Sequence, residues 1–284
     1  MAAPDPANAA QAAFWTTGPG RLWAVEHARL DALMAPATAV LLDRAAIRPG
    51  ENVLDIGCGA GATTLAAAER AAPGGRVTGL DISETLLAIA RHRAGGRPNV
   101  AFLEADAQPH RFDPASQDAI LSRHGLMFFA DPLAAFRNLA VALRTGGRIV
   151  FLAWADARLN PWVREARAAA EARLGPVPPD PPRTPGMFAF TDRDHVAGLL
   201  AAAGFTGIAA EALRTELHLE GTAGDAAALA AAIGPVNYVV RVRGGTESDR
   251  AAIAADLATR FRRFETPQGM RVPAVMNLFA ARRS

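Results

Sequence analysis

The chain has 284 residues, half from the apolar set and a fifth charged, enough for one enlarged domain or two small ones and unlike a disordered or fibrous chain. Thirty basic residues, all arginine, face 28 acidic ones, and no segment carries a clustered basic face, which argues against a nucleic-acid partner. The lone cysteine, Cys58, excludes an internal disulfide and a cysteine-based metal cluster, the six histidines lack metal-ligand spacing, and nothing reaches the roughly 18 unbroken apolar residues of a membrane span. The expectations are a cytoplasmic protein with no metal and no membrane contact, from a bacterial, GC-rich genome that favours alanine and arginine over lysine.

In chain order, the first 47 residues read as a helical lid, with Phe14, Trp15 and Trp23 grouped around Gly18-Pro19-Gly20. Short apolar runs then alternate with helical periodicity through residue 154, the pattern of βα units that build a parallel sheet. Strands are expected at 52–56, 76–80, 100–104, 119–122 and 148–154, with helices at 63–71, 84–93 (capped by Ser83) and 132–143. A helix near 162–174 precedes residues 175–186, whose six prolines suit neither a helix nor a central strand, so 155–204 reads as a cap insertion. Asp192 caps a helix that Gly204 stops. Alternation at 208–219 predicts a sixth strand, helices follow at 225–233 and after Thr246, and 274–280 predicts the last strand, so that 205–284 completes the sheet. The expected fold is α/β, a doubly wound, mostly parallel seven-stranded sheet with a helical cap.

The segment Asp55-Ile56-Gly57-Cys58-Gly59-Ala60-Gly61 lies where the first strand ends and a helix begins, a place for positive φ and for close approach of a ligand to the backbone. Gly57, Gly59 and Ala62 also satisfy a dinucleotide fingerprint, with Asp81 at the separation of a ribose-binding acid, so a nicotinamide cofactor and hydride transfer stay open on this ground. Asp81 and Asp106 end the second and third strands, which sets both acids along the crevice where such sheets bind nucleotides.

Together Val53 to Gly61, Gly79-Leu80-Asp81-Ile82-Ser83 and Leu103-Glu104-Ala105-Asp106-Ala107 resemble the motifs of class I S-adenosylmethionine-dependent methyltransferases. Residues 112–132, with Asp118-Ala119-Ile120-Leu121-Ser122 and Phe128-Phe129-Ala130-Asp131-Pro132, are similar to the fourth-strand region of the ubiquinone and menaquinone biosynthesis branch. The likeness fades after Trp154. It implies S-adenosylmethionine as cofactor, with Asp55 and the Gly57, Gly59 and Gly61 backbone near its methionine part. Asp81 would lie on ribose, Ile82 against adenine, and Asp106 with Ala107 at the adenine edge. Ser122 and Trp23 complete the expected cofactor contacts.

His124, just past the fourth strand, is the best-placed general base. Cys58 is a small packing residue. The Asn/Asp-Pro-Pro-Tyr signature of base-amino methylation is absent, since Ser122-Arg123-His124-Gly125 stands in its place. The expected reaction is methyl transfer to an O, N or C nucleophile of a small organic molecule. The alternatives are an NAD(P)-dependent oxidoreductase and a protein that binds S-adenosylmethionine without transferring methyl. A homodimer is left open.

Overall fold

A computed structural model describes residues 8–179 and 181–284. Four helices open the chain: α1 (Ala9–Thr16), α2 (Gly18–Val25), α3 (His27–Leu33) and α4 (Ala35–Ala45). Then come β1 (Asn52–Ile56), α5 (Ala62–Ala71), β2 (Arg76–Asp81), α6 (Glu84–Ala94), β3 (Val100–Glu104), β4 (Gln117–Arg123), α7 (Pro132–Ala142) and β5 (Leu143–Trp154). After them follow α8 (Pro161–Leu174), α9 (Arg193–Ala202), β6 (Phe205–Leu219), α10 (Ala223–Ala232), α11 (Gly234–Arg243), α12 (Glu247–Phe261), β7 (Glu265–Thr266) and β8 (Gly269–Arg283).

The sheet order is β3-β2-β1-β4-β5-β8-β6, with β1 to β5 parallel and β8 antiparallel to both its neighbours. The expected seven strands are all present, and the two-residue β7 pairs with β8 as an eighth. From β1 the chain moves outward through β2 to β3, then returns to β4 and moves the other way to β5. Right-handed crossovers in opposite directions put their helices on opposite faces, and they leave a crevice at the carboxyl ends of β1 and β4, where the direction switches. Close approach there needs glycine. A Cβ on Gly57, whose φ is +67°, would lie 2.6 Å from the Gly125 Cα.

Local signals account for several helix starts. Ser83, Asp131 and Asp192 each accept a backbone N–H at the N-termini of α6, α7 and α9, and Thr222–Asp225 and Thr246–Asp249 form reciprocal capping boxes on α10 and α12. The helix α11, with Pro235 in its first turn, was not foreseen: residues 234–243 lack a side-chain cap, and Val236, Val239 and Val240 are buried against neighbouring elements. The last strand is longer than the pattern at 274–280 suggests, because β8 pairs with β6 from Met270 to Arg283.

Long-range polar contacts seat the segment after β5. Buried Asn160 donates to the Val275 carbonyl at 3.0 Å and accepts the Val275 N–H at 2.9 Å. Buried Asn277 donates to the carbonyls of Phe190 and Thr191 at 2.9 and 3.1 Å. Phe190 thereby reaches the core, its ring 6.0 Å from that of Phe136, while Phe151 stacks on Phe279 at 4.8 Å. At the other end of the chain α4 lies across β4, β5 and β6, with Arg44 paired to Glu211, and α3 packs on β6, whereas α1 and α2 pack against α6. Among the described residues no single helix is long and apolar enough to cross a membrane.

Candidate active site

The carboxyl ends of β1 to β4 open into a cavity of about 1100 Å³ that also takes its wall from α1, α2, α3, α11 and the prolines at 179, 181, 182 and 185. Of the residues singled out from sequence, Gly57, Gly59, Asp81, Ile82, Asp106, Ala107, Trp23 and His124 line it. Asp55, Gly61 and Ser122 do not. Asp55 points sideways from β1 to α5, where the Thr64 hydroxyl donates to Oδ2 at 2.7 Å. Ser122 is buried, donating to the Ile56 carbonyl at 2.7 Å and accepting the Gly125 N–H at 3.1 Å, so it ties the ends of β1 and β4 together. Gly61 starts α5 at φ +84° with its back to Phe102 and Ala90.

The glycine loop turns its amides inward. Gly57 and Cys58 donate to the Leu80 carbonyl at 2.8 and 3.2 Å, Gly59 donates to Asp81 Oδ2 at 2.7 Å, and Gly61 donates to the Cys58 carbonyl at 3.0 Å. A pyrophosphate cradle needs free N–H groups at this turn. The loop fits a cofactor that asks it for shape and close approach better than one that presents phosphate. Asp81 accepts the Ser83 N–H through Oδ1 at 2.9 Å, so each carboxylate oxygen holds one donor and keeps a lone pair for a vicinal diol. Burial raises the Asp81 carboxyl above its ordinary value, against the pull of the Ser83, Gly59 and Ile82 amides.

Asp106 accepts the Gln108 N–H at 3.0 Å and, through Oδ2, the carboxamide of Asn8 at 2.8 Å. Asn8 is only 3% exposed, and its oxygen accepts the Ala130 N–H at 3.0 Å. The start of the described chain is thus drawn onto the ends of β3 and β4. The Ser83 hydroxyl holds α1 by donating to the Trp15 carbonyl at 2.7 Å, and the Trp15 ring sits edge-on to Phe128 and Trp23 at 5.1 and 5.5 Å. Gly20 permits this packing, since a Cβ there would overlap the Trp15 carbonyl.

His124 follows β4 in left-handed backbone, φ +67°, its N–H on the Leu152 carbonyl at 3.0 Å and its ring edge-on to Trp154 at 5.1 Å. Its Nε2 is buried and has no hydrogen-bond partner among the described residues. Burial lowers the imidazole to about 3, with Arg123 adding to the effect, so it is neutral at physiological pH and a weak proton acceptor. Burial pushes the Asp55 carboxyl up to about 7, while Thr64 and Arg123 pull it down. Burial, then Asp81 and Asp55, hold the Cys58 thiol well above its ordinary value, which leaves it unreactive.

The family model described as a methyltransferase domain matches residues 54–151. These residues are a methyltransferase domain of the class I, S-adenosylmethionine-dependent type. Demethylmenaquinone methyltransferase of Staphylococcus aureus is 33% identical to the chain over 106 residues, 37% of this chain and 44% of that protein. An uncharacterized 37.1 kDa protein of transposon TN4556 from Streptomyces fradiae is 36% identical over 112 residues, 39% of this chain and 32% of that one. The chain therefore matches less than half the length of these relatives. Among solved structures, phosphoethanolamine N-methyltransferase 2 of Haemonchus contortus in complex with S-adenosyl-L-methionine aligns with a TM-score of 0.57 at 17% identity, covering 94% of this chain and 57% of that one. YcgJ of Bacillus subtilis aligns with a TM-score of 0.54 at 17% identity, covering 87% and 98%. At such identities the structures speak for the fold alone.

The methyltransferase domain also depends on residues that no local motif marks. Asp31 of α3 accepts from Arg123 at 2.9 Å and from Arg93 at 2.8 Å, and Arg93 also donates to the Ala60 carbonyl at 2.7 Å. This triad clamps α3, the end of β4 and the glycine loop. Nothing in the sequence pairs positions 62 and 92 residues apart. The same holds for Asn8, which lies 98 residues from Asp106.

Proposed function

We propose that the chain is a methyltransferase that uses S-adenosylmethionine and acts on a small organic molecule at an oxygen, nitrogen or carbon nucleophile. The observation that carries this reading is the continuity of the cavity. Its volume of about 1100 Å³ exceeds the roughly 300–1,000 Å³ of a pocket for one small ligand, and it joins the acids of the methyltransferase domain to an apolar cap. That is room for a cofactor and an acceptor together.

Bound S-adenosylmethionine supplies a sulfonium-borne methyl group. Asp81 accepts the ribose hydroxyls, Ile82 lies against the adenine, and Asp106 with the Ala107 N–H reads its edge. Asp55, Gly61 and Ser122 act from behind the wall, shaping the turn that approaches the methionine part. Trp15, Trp23 and Phe128 close over the crevice and exclude water. Holding a nucleophile in line supplies on the order of 7–11 kcal/mol of the barrier in a well-oriented case, so a strong base is unnecessary. His124, neutral and edge-on to Trp154 in the cavity wall, orients the acceptor by shape.

Calorimetry on the purified protein tests the reading. Micromolar binding of S-adenosylmethionine and S-adenosylhomocysteine, with none of NAD or NADP, is expected, followed by a 14-dalton gain on acceptors in a screen. Nicotinamide binding instead overturns it. Cofactor binding without any mass gain points to a protein that holds S-adenosylmethionine for another purpose, a reading kept open because the solved [4+2]-cyclase SpnF shares this fold at a TM-score of 0.50 and 22% identity.

A further inference from the structure

The charges in the cavity wall do not balance. Five carboxylates belong to the wall, and each has a donor. Asp31 takes Arg93 and Arg123, Asp81 takes backbone amides, Asp106 takes Asn8, Asp156 takes Arg158, and Asp192 takes the His195 N–H at the start of α9. Of the four arginines in the wall, Arg123 pairs with Asp31, Arg167 with Glu171 at 2.8 Å, and Arg183 with Asp192 at 3.6 Å. Arg241 pairs with no carboxylate and makes no hydrogen bond among the described residues. Its guanidinium lies 5.9 Å from the centre of the Phe14 ring and 6.0 Å from that of Tyr238.

We infer that Arg241 is the specificity determinant for an acceptor that carries an anionic oxygen group, a carboxylate or its equivalent, on an apolar body. This rests on the proposed function. The guanidinium has five N–H donors in a planar fork suited to carboxylate geometry, and among the described residues none is engaged. It stands at the seam between α1 and α11, on the helix face that also brings Asn237 and Tyr238 to the cavity. The Asn237 oxygen accepts from Arg250 at 3.2 Å, which orients the carboxamide on that face. Arg241 itself is exposed, and the same cavity takes apolar lining from Phe14, Ile233, Val239 and Phe188, so an acceptor's apolar body can lie against those groups while its anion meets the fork at the solvent side.

A simpler role for Arg241 is that of a cation in the last turn of α11, where the helix dipole favours positive charge. In that role the side chain need not lie between two rings of the cavity wall, and its loss would lower stability without changing ligand preference. The two roles separate experimentally. Protein saturated with S-adenosylhomocysteine is titrated calorimetrically with 2-naphthoate and with its uncharged amide, 2-naphthamide. The acid should bind the native protein at least tenfold more tightly than the amide. Arg241→Gln should abolish that preference, Arg241→Lys should restore part of it, and the affinity for S-adenosylhomocysteine should stay within twofold in all three proteins. Equal affinity for acid and amide, a preference that survives in Arg241→Gln, or no binding of the acid at millimolar concentration overturns the inference. Failure of the native protein to bind S-adenosylhomocysteine instead strikes the proposed function itself.

Discussion

The two halves of the cavity are held by different means. Around the glycine loop, polar groups are engaged over short spans of chain or between adjacent strands, Gly59 with Asp81, Ser83 with Asp81 and Gln108 with Asp106, and the Asp31 triad and Asn8 brace that frame from farther along the chain. On the cap side the wall depends on distant partners, Asn160 with Val275 and Asn277 with Phe190, and among the described residues its lining leaves the cation of Arg241 unpaired. The first arrangement fixes one ligand by backbone geometry. The second sets a shape and a charge that can change from one acceptor to another while the cofactor end stays the same.

That contrast is sharpened first by pH. The buried Asp55 carboxyl, raised by burial to about 7 from an ordinary value of 3.8, holds its proton over a range where the unfolded chain has lost it. The folded state then binds more protons between those values, and stability falls as pH rises through them, with a total on the order of 4 kcal/mol. Asp55→Asn should flatten this part of the stability profile when urea melts are compared from pH 4 to pH 8. An unchanged slope would mean that the glycine-loop end stores no such strain.

Next in size is the cap. Asn277→Ala leaves the Phe190 and Thr191 carbonyls without their donor, a loss of about 2 kcal/mol by the usual cost of an unpaired buried group. Urea denaturation measures it. Calorimetry should also show weaker naphthoate binding with the S-adenosylhomocysteine affinity retained. An equal drop in both affinities would break the comparison, because the two ends would then behave as one unit.

Smallest is the loss of one ligand contact. Asp81→Ala should weaken S-adenosylmethionine binding by at least tenfold, about 1.4 kcal/mol, with the circular dichroism spectrum of the folded chain kept. Unchanged affinity would remove Asp81 from the ribose position.

The core was legible because its signals are local. The apolar runs at 52–56, 76–80 and 100–104 each have an acid at or just past their end, Asp55, Asp81 and Asp106, and strands β1, β2 and β3 occupy those places. Asp81, the last residue of β2, and Asp106, two residues past β3, both reach the cavity at the carboxyl edge of the sheet. Asp55 and Ser122 belong to the same motifs but miss the cavity. One turns sideways to Thr64 and the other bridges β4 to β1, and which face a strand residue takes is set by the layers packed on it. His124 has the position expected of a base, yet burial makes its imidazole a weak one, a property of surroundings that its neighbours in sequence do not report.

By itself the sequence determined the doubly wound sheet, the crevice at its switch point and the class of cofactor, because alternation, turns and strand-end acids act over a few residues. Only the tertiary structure decided that Asn8 would lie on Asp106, that α11 would join the cavity wall, and that Arg241, alone of the wall's arginines, would lack a carboxylate among the described residues. Those outcomes depend on contacts between segments far apart in the chain, where burial and shape decide, and no spacing along the sequence encodes them.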